Sequence, residues 1–323
     1  MCGKNPRFRM DFIQEVIAFD REKGIIEARL IPDPRRYEWR ILKGTEYLYD
    51  RLDNLLIAKD TLLSAIERSR NLPIYYQQQE VDDVVDYIKS RIPEIEARLR
   101  GYEESADFRD KSEEFLQSLE RDELGFVILC VDIAGSTALS TSMDKRRFAK
   151  LIEVMTYEMS ALVPKFHGHV LKYTGDGLIA YFAEPSFIGK NDLAIDCALT
   201  MRKLTYEGLN LILTKNGYPQ IDIRIGIDSG EAIVTAMGSA ATKRHKDIIG
   251  TVVSLASKIQ AKGRHGDILL GEVALRNLHT MWREICEEVV LSEDWEYKGE
   301  GGNPYKIYRV KFVEPRTAGH DSI

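Results

Sequence analysis

The sequence predicts an α+β fold for its larger, second part, on three observations. Residues 126–131 form an unbroken apolar run of strand length, the pattern of a strand buried on both faces. Two short apolar runs, 170–174 and 178–182, meet at Gly175-Asp176-Gly177, which reads as a tight hairpin turn. Helical periodicity separates these strands from later ones, so the order is strand, helix, strand, strand, helix, strand, strand. That order fits one sheet with helices on one face.

From the N-terminus, residues 10–31 read as two strands around a Glu22-Lys23-Gly24 turn. Ile13, Glu15, Ile17 and Phe19 share one face of the first, and Ile25, Glu27, Arg29 and Ile31 answer on the second. Pro32-Asp33-Pro34 stops the pattern. Over residues 45–69, Leu48, Leu52, Leu55, Leu62 and Ile66 recur at helical spacing and predict one helix. Val81, Val84, Ile88, Ile92, Ile95 and Leu99 predict another, which Pro93 kinks or restarts. Both seams call for a partner helix, within the domain or across a dimer. Residues 101–122 carry many charges and suit an exposed helix or linker.

After the 126–131 strand, Phe148, Leu151, Ile152, Met155, Met159 and Leu162 mark a helix. A long helix follows over 191–215 and then a second hairpin, 221–227 against 232–234. A helix over 251–262, a strand over 267–270 and a late strand over 305–312 complete the pattern. The expected organisation is a smaller α/β N-terminal region with long helices over 1–120, regulatory or dimerising. The α+β domain follows over 121–313, and then a flexible tail, 314–323.

Composition narrows the function. At 323 residues, 44% hydrophobic and 30% charged, the chain has material for two globular domains. A net charge of −6 argues against a surface built to bind nucleic acid. No apolar run approaches bilayer-spanning length and no signal-peptide pattern opens the chain, so a cytoplasmic protein without membrane insertion is expected. The four cysteines, scattered at Cys2, Cys130, Cys197 and Cys286, form neither a disulfide framework nor a metal set. His167 and His169 flank Gly168 but lack a third ligand at useful spacing. The basic run from Lys243 to Lys246 is most simply a solvated hairpin or loop.

Two aspartates carry the chemistry. Asp132 ends the apolar strand and Asp176 sits between glycines at a hairpin tip, where a carboxylate is costly unless it serves something. On adjacent strands the pair could share divalent cations, or Asp132 could cap a helix and Asp176 make a turn. Gly135, Ser136 and Thr137 offer backbone N–H groups for phosphate oxygens. Lys172 and Arg224 interrupt apolar strands, Asp247 precedes a helix, and Ser254 and Lys258 share one face of it. Lys298 opens the glycine-rich loop 298–302.

These residues resemble the catalytic domain of class III nucleotidyl cyclases, over about 124–280 with a continuation to about 312. FVILCVDIAGST, residues 126–137, and LKYTGDGLIA, residues 171–180, look like the family's two metal-binding segments, and DIRIGIDSG, residues 222–230, like its arginine strand. The resemblance implies a ferredoxin-like catalytic fold with two divalent ions, Mn²⁺ or Mg²⁺, held by Asp132, Asp176 and the Ile133 carbonyl. It places Arg224 and Lys298 on the terminal phosphates, and Lys172 and Asp247 on the base. Ser254 stands where the family keeps a ribose-orienting asparagine, and Lys258 where it keeps a transition-state arginine; lysine lacks that fork. It also implies a head-to-tail homodimer acting on a nucleoside triphosphate. Residues 247–259, DIIGTVVSLASKI, and the N-terminal extension are similar to pyrimidine cyclases of bacterial anti-phage Pycsar systems. Such enzymes make cyclic UMP or cyclic CMP for a responsive effector. An adenylate cyclase and a catalytically weak nucleotide-binding module are the alternatives.

Overall fold

The computed structural model describes residues 9–20, 25–69, 80–102, 111–119, 123–183, 189–239, 244–292, 294–299 and 302–312. The Glu22-Lys23-Gly24 turn, Lys243, Glu300, Gly301 and the 314–323 tail lie outside the described residues. The chain divides into two units: Met1–Gln77 with His279–Glu284, and Gln78–Leu278 with Ile285–Ile323. The division falls at 77/78 rather than near 120. No helix among the described residues is long and apolar enough to cross a membrane.

In the first unit, β1 (Phe12–Asp20) and β2 (Ile25–Pro32) form an antiparallel ribbon. A three-stranded sheet of β3 (Tyr37–Leu42), β4 (Thr45–Asp50) and β5 (Leu55–Ala58) precedes α1 (Lys59–Ser69). The helix expected over 45–69 is therefore wrong for its first half. Lys43 and Gly44 both take positive φ, 51° and 78°, and turn the chain into the β3–β4 hairpin. Leu48 and Leu62 do meet, against Tyr37, but across a strand and a helix. Beside them Arg36, 1% exposed, is ringed by carboxylates. It donates to Asp50 at 2.9 Å, Asp11 at 3.0 Å and Asp53 at 2.6 Å. Thr280 donates its hydroxyl to Asp11 at 2.6 Å and Arg283 binds Asp53 at 3.0 Å, fastening the 279–284 segment into this unit.

The second unit opens with α2 (Val84–Leu99), capped by Asp83 and running on through Pro93. Arg91 of α2 forks Glu158, with both contacts at 2.9 Å. Within 101–122, where an exposed helix or linker was expected, the described part is a helix that is not fully exposed: α3 (Lys111–Ser118) packs Leu116 into the core with Phe126 and Ile128. Phe115 stacks on His169, ring centroids 4.0 Å apart. The central strand β6 (Glu123–Ile133) leads to α4 (Ser136–Ser142) and α5 (Lys145–Leu162). The hairpin β7 (His169–Tyr173) and β8 (Gly177–Ala183) follows. Helix α6 (Lys190–Leu204) then passes through a wide π-type turn (Thr205–Leu209) into α7 (Asn210–Lys215).

β9 (Ile223–Met237) is one long strand, where a hairpin was expected over 221–234. Asp228-Ser229-Gly230 looks like a turn, yet β6 pairs along β9 continuously from Glu123↔Ile233 to Ile133↔Ile223. The true hairpin partner is β10 (His245–Ile249). Then come α8 (Thr251–Lys262), β11 (Ile268–Gly271), α9 (Glu272–Arg276), β12 (Cys286–Glu288) and β13 (Ile307–Val310). The sheet order is β12-β13-β11-β9-β6-β8-β7, with β10 also on β9.

Helices cover both faces of this α+β sheet, not one. Ser229 bonds Asn191 of α6 at 2.8 Å. On the opposite face Gly226 lies directly beneath α8, where an added Cβ would stand 2.4 Å from the Ala256 carbonyl. The alternation of side chains along β9 places these two contacts on opposite sides.

Candidate functional site

Asp132 stands in β6 opposite Gly177 of β8 on one side and Arg224 of β9 on the other. Cross-strand register therefore makes the Asp132–Arg224 pair. The guanidinium forks the carboxylate, Nε to Oδ1 at 3.2 Å and Nη2 to Oδ2 at 3.0 Å. Asp176 lies at the adjoining tip, where the Thr174 N–H donates to the Gly177 carbonyl at 2.9 Å and Gly175 takes φ +82°. A side chain at 177 would meet the Val131 carbonyl at 2.1 Å, so only glycine lets this hairpin close against Asp132. Burial is the largest influence on Asp132 and raises its carboxyl above the ordinary range. The Asp176 charge adds to that, while Arg224 and the nearby Gln260 oppose it.

Beyond Asp132 the chain leaves the sheet. Ile133 is buried, the Ala134 N–H donates to the Asp222 carbonyl at 2.8 Å, and Gly135 takes φ +72° to start α4. Gly135 and Thr137 are exposed and Ser136 half-buried.

A second pair is joined by its own contact. Lys172 of β7 donates to Asp247 of β10 at 2.7 Å, with the lysine exposed and the aspartate largely buried. Ser254 and Lys258 are exposed on α8, while Val252, Ala256, Ile259 and Gln260 are buried. Lys298 is exposed on a small hairpin closed by its bridge to Pro304 and by the Gly299 N–H on the Asn303 carbonyl at 2.8 Å. The structure thus brings Asp132, Asp176 and Arg224 together, and Lys172 with Asp247. Among the described residues no hydrogen bond or ion pair joins Ser254, Lys258 or Lys298 to either aspartate.

Three neighbours escape sequence reasoning. Gln260 reaches the Asp132 side of the sheet, and its buried Nε2 makes no hydrogen bond among the described residues. Its signal was Gly226, the gap that admits α8. Asp228, fully buried in β9, accepts the Tyr305 hydroxyl at 2.7 Å and the Ser229 N–H at 2.9 Å. His265 sits beside Gly135 with Asp222 behind it.

The donor set fits hard divalent cations. Asp132 lies in the strand between, with the Asp176 hairpin tip on one side and the Arg224 guanidinium on the other. Among the described residues no cluster of three or more histidine, cysteine or acidic ligands exists that would make an all-protein cage. Magnesium-type ions need one or two carboxylates and take the rest from water and substrate phosphates.

A family model described as the adenylate and guanylate cyclase catalytic domain matches residues 121–311. The chain is similar to an adenylate cyclase from Anabaena cylindrica, 27% identical over 173 residues, covering 50% of this chain and 34% of that one. It is also similar to a uridylate cyclase from Treponema porcinum, 26% identical, covering 52% and 59%, and to a cytidylate cyclase from Escherichia coli, 27% identical, covering 49% and 36%. The chain thus spans between a third and three-fifths of the length of these relatives. Among solved structures, the adenylyl cyclase CyaB from P. aeruginosa shares the fold with a TM-score of 0.53, at 24% identity, over 62% of this chain and 100% of that one. With the matched segment taking in more than half of its residues, and the two aspartates and the arginine meeting on that segment's central strands, the chain belongs to the adenylate and guanylate cyclase catalytic domain family.

Proposed function

We propose that the chain is a nucleotidyl cyclase that converts a nucleoside triphosphate to a 3′,5′-cyclic nucleotide and pyrophosphate. The ribose 3′-oxygen attacks the α-phosphorus and the bond to the β-phosphate oxygen breaks. The observation that carries this reading is the convergence of Asp132 and Asp176 on adjacent strands with Arg224 opposite, within a cyclase-family domain.

Asp132, Asp176 and the Ile133 carbonyl would hold two divalent ions, Mn²⁺ or Mg²⁺. When bound, these supply an acidified 3′-hydroxyl and neutralised phosphate charge. Arg224 releases Asp132 and turns to the terminal phosphates, joined there by Lys298. The backbone N–H groups of Gly135, Ser136 and Thr137 seat phosphate oxygens. Ser254 orients the ribose, and Lys258 meets the charge that develops at the α-phosphate as a point cation. Because Ser254 and Lys258 lie on the exposed side of α8, they serve the aspartates of a second copy, in a head-to-tail homodimer with two equivalent sites.

The Lys172–Asp247 pair offers one donor head and one acceptor, matched to a base edge with one acceptor next to one donor. Uracil, cytosine and adenine each present such an edge. We favour a pyrimidine, uridine before cytidine, on the likeness of residues 247–259 and of the N-terminal extension to pyrimidine cyclases; relatives named uridylate, cytidylate and adenylate cyclase match this chain about equally and do not choose among the bases. The product would then be cyclic UMP or cyclic CMP, a second messenger read by a cyclic-nucleotide-responsive effector in anti-phage defence. Adenylate cyclase activity is the alternative. The Arg224 fork, which occupies both Asp132 oxygens, favours a second reading: a weakly active nucleotide-binding regulatory module.

One experiment separates these. Purified protein is incubated with ATP, GTP, CTP and UTP separately, with Mn²⁺, and products are identified by mass spectrometry. Cyclic UMP or cyclic CMP as the main product supports the proposal, and cyclic AMP moves the base assignment. Thermal shifts with a triphosphate but no cyclic product overturn turnover in favour of the regulatory module.

A further inference from the structure

Beside the 135–137 loop the structure assembles a polar chain that the proposed reaction does not yet use. Asp222, just ahead of β9, acts in two directions. Its backbone carbonyl accepts the Ala134 N–H at 2.8 Å and so fixes the turn after Ile133 from behind. Its carboxylate faces the other way, with Oδ2 3.0 Å from His265 Nδ1 and Oδ1 accepting the Tyr206 hydroxyl at 2.7 Å. Tyr206 comes from the wide turn between α6 and α7, the kind of local widening that often marks a functional position.

The turn that carries His265 is tied at several points. The Gly266 N–H donates to the Ile223 carbonyl at 3.0 Å, and Arg202 Nε donates to the Gly266 carbonyl at 3.0 Å. Gly266 takes φ +77°, and a Cβ there would stand 2.5 Å from the Tyr206 hydroxyl, so a side chain at 266 would break the arrangement. His265 itself is 69% exposed along its side chain. Its Cε1 lies 3.9 Å from the point where a Cβ on Gly135 would sit.

An exposed histidine held by a half-buried carboxylate is oriented at one nitrogen and open to a partner at the other. A carboxylate only accepts, so Nδ1 carries the proton of that contact and Nε2 is left for another partner, on a ring whose Cε1 approaches Gly135. With Nδ1 engaged by Asp222, the imidazolium form has its Nε2–H left to donate to a phosphate oxygen. The other charged or titratable groups around it are Arg264 and Asp267 on the same turn and Arg202 and Tyr206 from the α6–α7 segment. No competing carboxylate stands among them on the Gly135 side in the described contacts of His265.

We infer that His265 is a further binding residue for the terminal phosphates of the substrate and for the leaving pyrophosphate, with Asp222 and Tyr206 as its positioning residues. The inference rests on the reading of residues 135–137 as the phosphate seat. It adds a contact from a segment 130 residues downstream of Gly135, by subtraction of the two positions.

The test uses the full chain and the variants His265→Ala, His265→Gln and Asp222→Asn. Inorganic pyrophosphate with Mn²⁺ is titrated calorimetrically into each, and KM, kcat and pyrophosphate inhibition are measured with the triphosphate that turns over. For His265→Ala, pyrophosphate affinity falls and KM rises together by about threefold to tenfold, the worth of one exposed charge-assisted hydrogen bond, with kcat within about twofold. His265→Gln, with an amide donor at similar reach, recovers part of the affinity, and Asp222→Asn gives a smaller loss. Equal pyrophosphate affinity of wild type and His265→Ala overturns the inference, whatever the turnover. His265-dependent pyrophosphate binding without any cyclic product keeps it and overturns only the cyclase reading.

Discussion

Asp228 is a buried carboxyl inside the central strand β9, and replacing it with asparagine should change how stability depends on pH. The residue is 1% exposed. Burial pushes its carboxyl from 3.8 up to about 7; Glu272 adds to this, and the Tyr305 hydroxyl and the amides of Ser229 and Ala274 oppose it. A folded-state value raised above the unfolded one means that folding favours the protonated form. The stability from Asp228 is thus complete below about pH 4 and lost as pH rises through about 7. At about 1.4 kcal/mol per tenfold, the full window is worth about 4 kcal/mol, of which about 3 kcal/mol falls between pH 5 and 8. Asparagine keeps the oxygen that accepts from Tyr305 but places an amide where Oδ2 has no hydrogen-bond partner among the described residues. Its absolute stability therefore mixes two effects, whereas its pH dependence isolates one. Urea denaturation of wild type and Asp228→Asn at pH 5, 6, 7 and 8 gives the comparison, and common histidine contributions cancel in the difference. The variant should gain about 3 kcal/mol relative to wild type from the lowest to the highest pH. A difference that stays flat within about 1 kcal/mol would refute the claim that Asp228 is held near neutrality by burial.

Four further outcomes follow from the contacts described above. Burial raises the Asp132 carboxyl, so its charge costs stability at neutral pH; Asp132→Asn should match or exceed wild type in Tm while cyclic product falls at least about a hundredfold. Asp176→Ala should lose product similarly with an unchanged circular dichroism spectrum, and near wild-type rates from either variant would sink the two-aspartate reading. Gly226→Ala puts a methyl 2.4 Å from both the Ala256 carbonyl and the Gln260 nitrogen, which should lift α8 and lower Tm by about 5–10 °C in scanning calorimetry; an unchanged Tm contradicts that packing. Arg36→Met leaves Asp11, Asp50 and Asp53 without their shared cation and should cost the first unit about 3–5 kcal/mol, read as lost hydrogen-exchange protection in β3 and β4 while β6 and β8 keep theirs.

What the sequence made legible was local. A carboxylate closing an apolar strand and another between two glycines are visible at once, because apolar strands exclude charge and glycine marks a forced turn. Their meeting with Arg224 follows from register once β6, β8 and β9 are neighbours. The leucine spacing over 45–69 misled because it satisfied a helix, while Tyr47 and Tyr49 beside Leu48 carried the competing strand alternation. Asp228-Ser229-Gly230 misled for a different reason: turn chemistry was present, but eleven continuous pairs with β6 hold the strand straight through it. His265 and Asp222 lie 43 positions apart. Nothing in their spacing places one behind the other; that comes from the tie between Gly266 and the Ile223 carbonyl.

The division of the site over the surface makes the strongest demand on the reaction. Asp132 and Arg224 are two-thirds or more buried at the strand ends, whereas Ser254 and Lys258 are exposed on α8 opposite the residues that pack on the sheet. We propose that groups so disposed close on one triphosphate across two copies; turning α8 over within one copy would expose Val252, Ala256 and Ile259. Two copies arranged head to tail meet the demand without that cost. Complementation tests it: Asp132→Asn and Lys258→Ala homodimers are each inactive, and mixing them one to one by unfolding and refolding yields heterodimers for about half of the molecules. In each heterodimer one site carries both substitutions and the other carries none. Activity should therefore return to about a quarter of wild type. Heterodimers verified by native mass spectrometry that show no cyclic product would mean that Asp132 and Lys258 act within the same chain, and the shared-site reading would fall.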